Sequence, residues 1–235
     1  MSWKTNTIVV RPSLLGADPD ELLRHLGYEK RRKSKEVIFG GGIGGASIWI
    51  GTIDDRILMY THLAGQFFDR FCDGAPDRDF TFLKSALFQN FPEARIAALY
   101  LDSVVDAWGF AVFRGGALVR RFYGHDGTIL GDEGSQLPEE NAYLANYDRL
   151  EVDGDILYKD RSAPGGEPLS LAEHGEGLFC EVWRSVTGYE FDAPELLRIP
   201  GSDFWLNDDE EKFRPISRKN EYHTRPGRPW WKFWG

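Results

Sequence analysis

The stretch AWGFAVFR-GG-ALVRRFY, Ala107 to Tyr123, decides how the rest of the chain is read. Trp108, Phe110 and Val112 recur at every second position, which is the spacing that places side chains on one face of a strand. Gly115-Gly116 then supplies the two positive-φ positions that a tight hairpin turn demands. Ala107–Arg114 and Ala117–Tyr123 are therefore predicted to pair antiparallel, with Trp108, Phe110 and Val112 on one face.

Working outward, Ile96 to Leu101 adds a strand before this hairpin, so the region reads as a meander. Phe80 to Phe91 and His62 to Cys72 space their aromatic residues like amphipathic helices, and Pro92 stops the former. Ser47–Ile53 and Arg56–Tyr60 read as a hairpin through Asp54-Asp55, and Leu150–Val152 and Ile156–Tyr158 as another around Asp153-Gly154-Asp155. Leu178 to Val186 reads as a helix closed by Gly188. In residues 14–36, Asp18, Asp20 and Glu21 precede a Leu-rich run that Arg31, Arg32, Lys33 and Lys35 close, the charge order that a helix dipole favours. The expected fold is a single α+β domain over about residues 1–205, a mostly antiparallel sheet flanked by helices. A linker and an extended basic, aromatic C-terminal tail occupy 206–235.

The net charge of −9 argues against nucleic acid as a partner, because non-specific binding of that kind rests on Lys and Arg neutralising phosphates. From Arg214 onward six Lys or Arg face the single Glu221, so this end is basic and the remainder more acidic than the total suggests. Only Cys72 and Cys180 occur, without the paired spacing of zinc or redox sites; a reduced, cytoplasmic protein is expected, and the first residues lack the apolar run of a secretory signal.

Gly40 to Gly45 contains G-x-G-x-x-G, but the strand-like Ser47–Ile53 follows where a dinucleotide site needs a helix, so no nucleotide cofactor is expected. The uncharged run from Val37 to Ile53 is too short and glycine-rich to suggest a membrane span. His125, Asp126, Asp132, Glu133, Glu139 and Glu140 form the densest group of titratable residues. They admit a metal-assisted hydrolytic site, although the interleaved Gly124, Gly127, Gly131 and Gly134 are equally at home in a solvated loop. No motif specifies a catalytic residue, a metal ligand or a cofactor.

Pro226 and Pro229 keep the tail from forming a regular element, so Trp230, Trp231, Phe233 and Trp234, with Arg225, Arg228 and Lys232, have four destinations. These are a groove on the same chain, a partner protein, a lipid interface reached peripherally, or a disordered end.

The block Gly116 to Gly127, with Asp132-Glu133-Gly134 and Leu137-Pro138-Glu139-Glu140, resembles a segment of uncharacterised bacterial proteins, some of them immunity proteins of polymorphic toxin systems. The resemblance covers about thirty-five residues and transfers no catalytic residue. It implies a compact, acidic, cytoplasmic α+β protein that neutralises a toxin partner by binding it, with the cationic tail departing from a uniformly acidic interface. A non-enzymatic protein-binding factor is the expected function; the alternative is the hydrolase centred on residues 125–140.

Overall fold

Strand β6 (Ala107–Arg114) is buried along all but its last residue, since apolar side chains leave it on both faces. It pairs antiparallel with β5 (Arg95–Asp102) on one side and β7 (Ala117–His125) on the other. Strand β8 (Thr128–Gly134) continues the meander at the sheet edge. Gly115 and Gly116 have φ of 59° and 74°, the left-handed turn that the two glycines predicted. The computed structural model describes residues 4–11, 22–24, 26, 33–39, 47–68, 78–163 and 165–205, with the backbone alone at 33–37, 47, 78 and 205.

Among these residues nine strands form one sheet, in the order β2-β12-β3-β4-β1-β5-β6-β7-β8. The added members are β1 (Lys4–Arg11), β2 (Lys33–Ile38), β3 (Ser47–Ile53), β4 (Arg56–Tyr60) and β12 (Pro200–Trp205). Every neighbouring pair is antiparallel. The fold class is thus the expected α+β one, and β3–β4 is the hairpin predicted through Asp54-Asp55.

Alternation divides the core in two. Ile8, Val10, Ile96, Ala98, Ala111 and Phe113 face α1 (Arg78–Asn90), whose Phe80, Leu83 and Leu87 are buried there with Leu22, Leu23 and Leu26. Val9, Ala97, Leu99, Trp108, Phe110 and Val112 face α3 (Gly175–Thr187), which contributes Leu178, Phe179, Val182, Trp183 and Val186. Trp183 is fully buried against Phe191, with ring centroids 4.8 Å apart, and deleting a ring of this size from such a core costs about 3–5 kcal/mol. Helix α3 ends at Gly188, φ 80°, as expected from its position after the last apolar residue.

A second sheet of three strands, β11-β10-β9, stands apart: β9 (Tyr147–Val152), β10 (Asp155–Asp160) and β11 (Leu169–Ser170). It contains the hairpin predicted around Asp153-Gly154. Helix α2 (Pro138–Leu144) precedes it and joins it to the large sheet.

Three local expectations need correction. The segment read as a helix from His62 is a 3-10 helix of His62–Phe67; Phe68 returns to extended backbone to enter the core, and the end of that reading lies outside the described residues. The basic residues Lys33 and Lys35, read as closing a helix, lie on β2, because β12 arrives from the far end of the sequence to pair with it. That strand enters between β2 and β3 because Gly201 faces Gly51, and a Cβ at either position would lie about 2.3–2.4 Å from the Trp49 ring. Finally, the glycine-rich segment after Tyr123 is a strand for most of its length. The run at 40–45 lies outside the described residues, whereas the strand expected after it is β3.

Candidate functional site

Arg120 on β7 is about 1% exposed, and so is Glu140 on α2. Arg120 Nε donates to both Glu140 oxygens at 3.1 Å and Nη2 donates to Oε1 at 3.0 Å. Nη1 donates to the Asp132 carboxylate and to the Gly134 carbonyl at 3.2 Å, while the guanidinium carbon lies 4.9 Å from the Phe122 ring centre. Glu140 Oε2 also accepts from the Leu137 backbone N–H at 2.7 Å, closing the first turn of α2 where Pro138 needs no donor of its own. Burial works against the Arg120 charge, but the Glu140 and Asp132 hydrogen bonds overcome it and hold its pKa above the ordinary value. Burial pushes the Glu140 carboxyl up, against the pull of Arg120 and the Leu137 N–H. The constellation is a clamp that fixes α2 on the sheet edge.

The other acidic candidates are dispersed. Glu139 accepts from Arg95 and from the Ser185 hydroxyl at 2.7 Å; burial raises its pKa, but these bonds bring it below the usual carboxylate range. Glu133 pairs with Arg121 along the edge. His125 and Asp126 are exposed at the β7–β8 turn, where Asp126 takes φ 49°. About 15 Å of β8 separates Thr128 beside them from Glu133. The six residues therefore share no common cavity, and Glu140 spends both oxygens on Arg120 and the helix start. Among the described residues no three His, Cys, Asp or Glu side chains are grouped to hold a metal ion. Gly131, read from sequence as a loop glycine, is a close-approach position: a Cβ there would sit 2.0 Å from Tyr123 Cε1.

Sequence reasoning missed a row of arginines at one end of the sheet. Arg11 faces Arg95 and Arg95 faces Arg114 in register, while Arg56 follows on β4 next to the Val10–Ile57 pair. Three of these cations meet the C-terminal end of α3. Arg56 Nε donates to the Val186 carbonyl at 3.0 Å, Arg11 Nη1 donates to the Ser185 carbonyl at 3.1 Å, and Arg95 Nη1 reaches Ser185 Oγ at 3.4 Å. Arg56 and Arg11 satisfy carbonyls that a helix end leaves open, and all three cations oppose the negative end of its dipole.

At the opposite end of α3, the N-cap His174 is 3% exposed and sits among three tyrosines. Tyr147, Tyr143 and Tyr158 place their rings 4.4, 5.7 and 5.7 Å from its own. The Tyr147 hydroxyl donates to that of Tyr143 at 3.1 Å, which leaves the Tyr143 proton for His174 Nδ1 at 3.2 Å; Nε2 has no partner. Burial pushes the imidazole pKa down and the Tyr143 hydroxyl up. Burial likewise pushes the Cys180 thiol up to about 12, so it is no nucleophile at neutral pH. The aromatic box is the seat on which the three-stranded sheet rests.

Beyond that seat the small sheet carries apolar side chains into solvent. Val152, Ile156 and Leu169 are 45%, 41% and 39% exposed. Ile156 and Leu169 flank Tyr158 on the face that meets His174, and Val152 shares the reverse face with the half-buried Leu150 and Leu157. Around them stand the exposed Glu151, Asp153 and Asp155, none of which makes an ion pair among the described residues. Asp153 and Gly154, with φ of 54° and 93°, form the turn at the tip. The tip of the small sheet thus exposes apolar side chains on both of its faces, edged by carboxylates that make no ion pair among the described residues.

The tail residues Arg225, Arg228, Trp230, Trp231, Lys232, Phe233 and Trp234 lie outside the described residues. No helix among the described residues is long and apolar enough to cross a membrane. Residues 72–186 match a family of unknown function, DUF6928. The matched span contains β5 to β11, α2, the Arg120 clamp and the small sheet, and its end falls within α3. No curated protein and no solved structure matches the chain.

Proposed function

We propose that this chain is a non-enzymatic protein-binding factor that engages a basic partner through the β9–β10 hairpin. The carrying observation is that the small sheet, seated on the His174 box, exposes Ile156 and Leu169 on one face and Val152 on the other, beside Glu151, Asp153 and Asp155. The apolar residues supply contact area and the carboxylates steer a cationic surface into register. Neutralisation of a basic toxin in the bacterial cytoplasm, which the resemblance of residues 116–140 implies, is one activity that such a surface serves. Metal-assisted hydrolysis draws no support from the placement of His125, Asp126, Asp132, Glu133, Glu139 and Glu140.

The test compares proteins captured by the wild-type chain with those captured by Glu151→Lys/Asp153→Lys/Asp155→Lys. A basic partner retained by the wild type, released by salt and lost from the variant is the expected result. Equal capture by a variant that remains folded removes the hairpin from the reading.

A further inference from the structure

The hairpin surface has a counterpart in the chain itself. Residues 214–235 carry six Lys or Arg against one Glu and end in Trp230, Trp231, Phe233 and Trp234, so their charge is complementary to the acidic hairpin and their rings suit its exposed apolar residues. Tyr147–Asp160 holds Asp148, Glu151, Asp153, Asp155 and Asp160 against Arg149 and Lys159, with Val152 and Ile156 exposed between them. We infer that residues 225–234 dock in cis on the outer end of the β9–β10 hairpin and compete there with the external partner, an inference that rests on the hairpin being the partner-binding surface.

Reach is no obstacle. The last described strand ends at Trp205, and the twenty or so residues from there to Arg225 span up to about 65 Å when extended, more than the diameter of about 45 Å expected of a body this size. Tethering raises the local concentration of the segment to the millimolar range, so a peptide that is weak when free occupies its site when attached. Proline fixes its own φ, so Pro226 and Pro229 reduce the conformational entropy that docking would cost. The rings need apolar contacts, and Ile156 and Leu169 offer them beside Glu151 on one face of the small sheet while Val152 offers one beside Asp155 on the other, with carboxylates suited to Arg225, Arg228 and Lys232 on both.

The experiment uses the full chain. Zero-length carbodiimide coupling in a mixture of ordinary and 15N-labelled protein should join Lys232 to Glu151, Asp153 or Asp155 within one chain, and the products should fall several-fold in high salt. Trp230→Ala/Trp231→Ala/Phe233→Ala/Trp234→Ala should raise hydrogen exchange across Tyr147–Asp160 several-fold and strengthen partner capture. Unchanged exchange overturns the inference, as does Lys232 joined elsewhere. Products formed only between chains overturn it in favour of a second copy as the occupant. If the aromatic variant changes nothing at the hairpin while the lysine variant still loses the partner, the cis contact alone is wrong. If the lysine variant keeps the partner, the binding surface itself has been misassigned, and competition falls with it.

Discussion

Arg120 and Glu140 form a completely buried ion pair between β7 and α2, with Nη2 and Oε1 3.0 Å apart and each residue about 1% exposed. Their value lies in what either would become alone. A buried charge deprived of its partner loses several kcal/mol of compensation, whereas replacing both partners by apolar groups can be nearly neutral.

Glu140→Ala should therefore destabilise the protein by about 3–5 kcal/mol in urea unfolding, because Arg120 keeps only Asp132 and the Glu133 and Gly134 carbonyls while α2 loses its N-terminal bond. Arg120→Met/Glu140→Leu should recover much of that loss. A double variant whose loss equals the sum of the single losses would show that the two residues are not coupled.

Acid sensitivity should reside in Glu139 and not in Glu140. The folded pKa of Glu139 lies below its ordinary 4.5, so its contribution is present above pH 4.5 and is lost as pH falls through the lower folded value. Burial raises the pKa of Glu140, so the folded protein accepts that proton more readily than the unfolded chain. Denaturant midpoints below pH 4.5 should fall less steeply in Glu139→Gln than in the wild type.

His174 should make the small sheet sensitive to mild acid. Its folded pKa lies below the ordinary 6.5, so the stability gained from the neutral ring is complete above pH 6.5 and declines as pH drops through the folded value. Tyr143, Tyr147 and Tyr158 face it, and Glu173 and Asp160 soften the effect by favouring the charged ring. Amide exchange in Tyr147–Asp160, corrected for the intrinsic rate, should accelerate below pH 6.5 in the wild type and lose that dependence in His174→Gln.

Gly131→Ala should cost about 1–3 kcal/mol, since the new methyl meets the Tyr123 ring at 2.0 Å and that ring belongs to the core. At Gly127, φ 66°, nothing lies within 4 Å of an added Cβ, so Ala there should cost only the left-handed strain of about 1 kcal/mol. Thermal unfolding of the two variants should rank them in that order; the reverse order would remove the packing role assigned to Gly131.

Local spacing in the sequence by itself determined the meander, the turn at Gly115-Gly116, the hairpin at Asp153-Gly154 and the helix ended by Gly188. Each is governed by residues close in the chain: a period of two, a pair of positive-φ positions, or a cap. The face shared by Trp108, Phe110 and Val112 followed from the same period. Only the tertiary structure decided that β12 enters between β2 and β3, that β9 and β10 leave the large sheet, and that Arg56, Arg11, Arg95 and Arg114 stand in one row. Strand order and register pair residues far apart in sequence, and no local period encodes them. Gly131 and Glu140 show the physical reason most directly. Glycine and glutamate read as loop residues because that is their common solvent-exposed use, and it takes the Tyr123 ring over one and the Arg120 guanidinium against the other to make them a packing position and a buried anion.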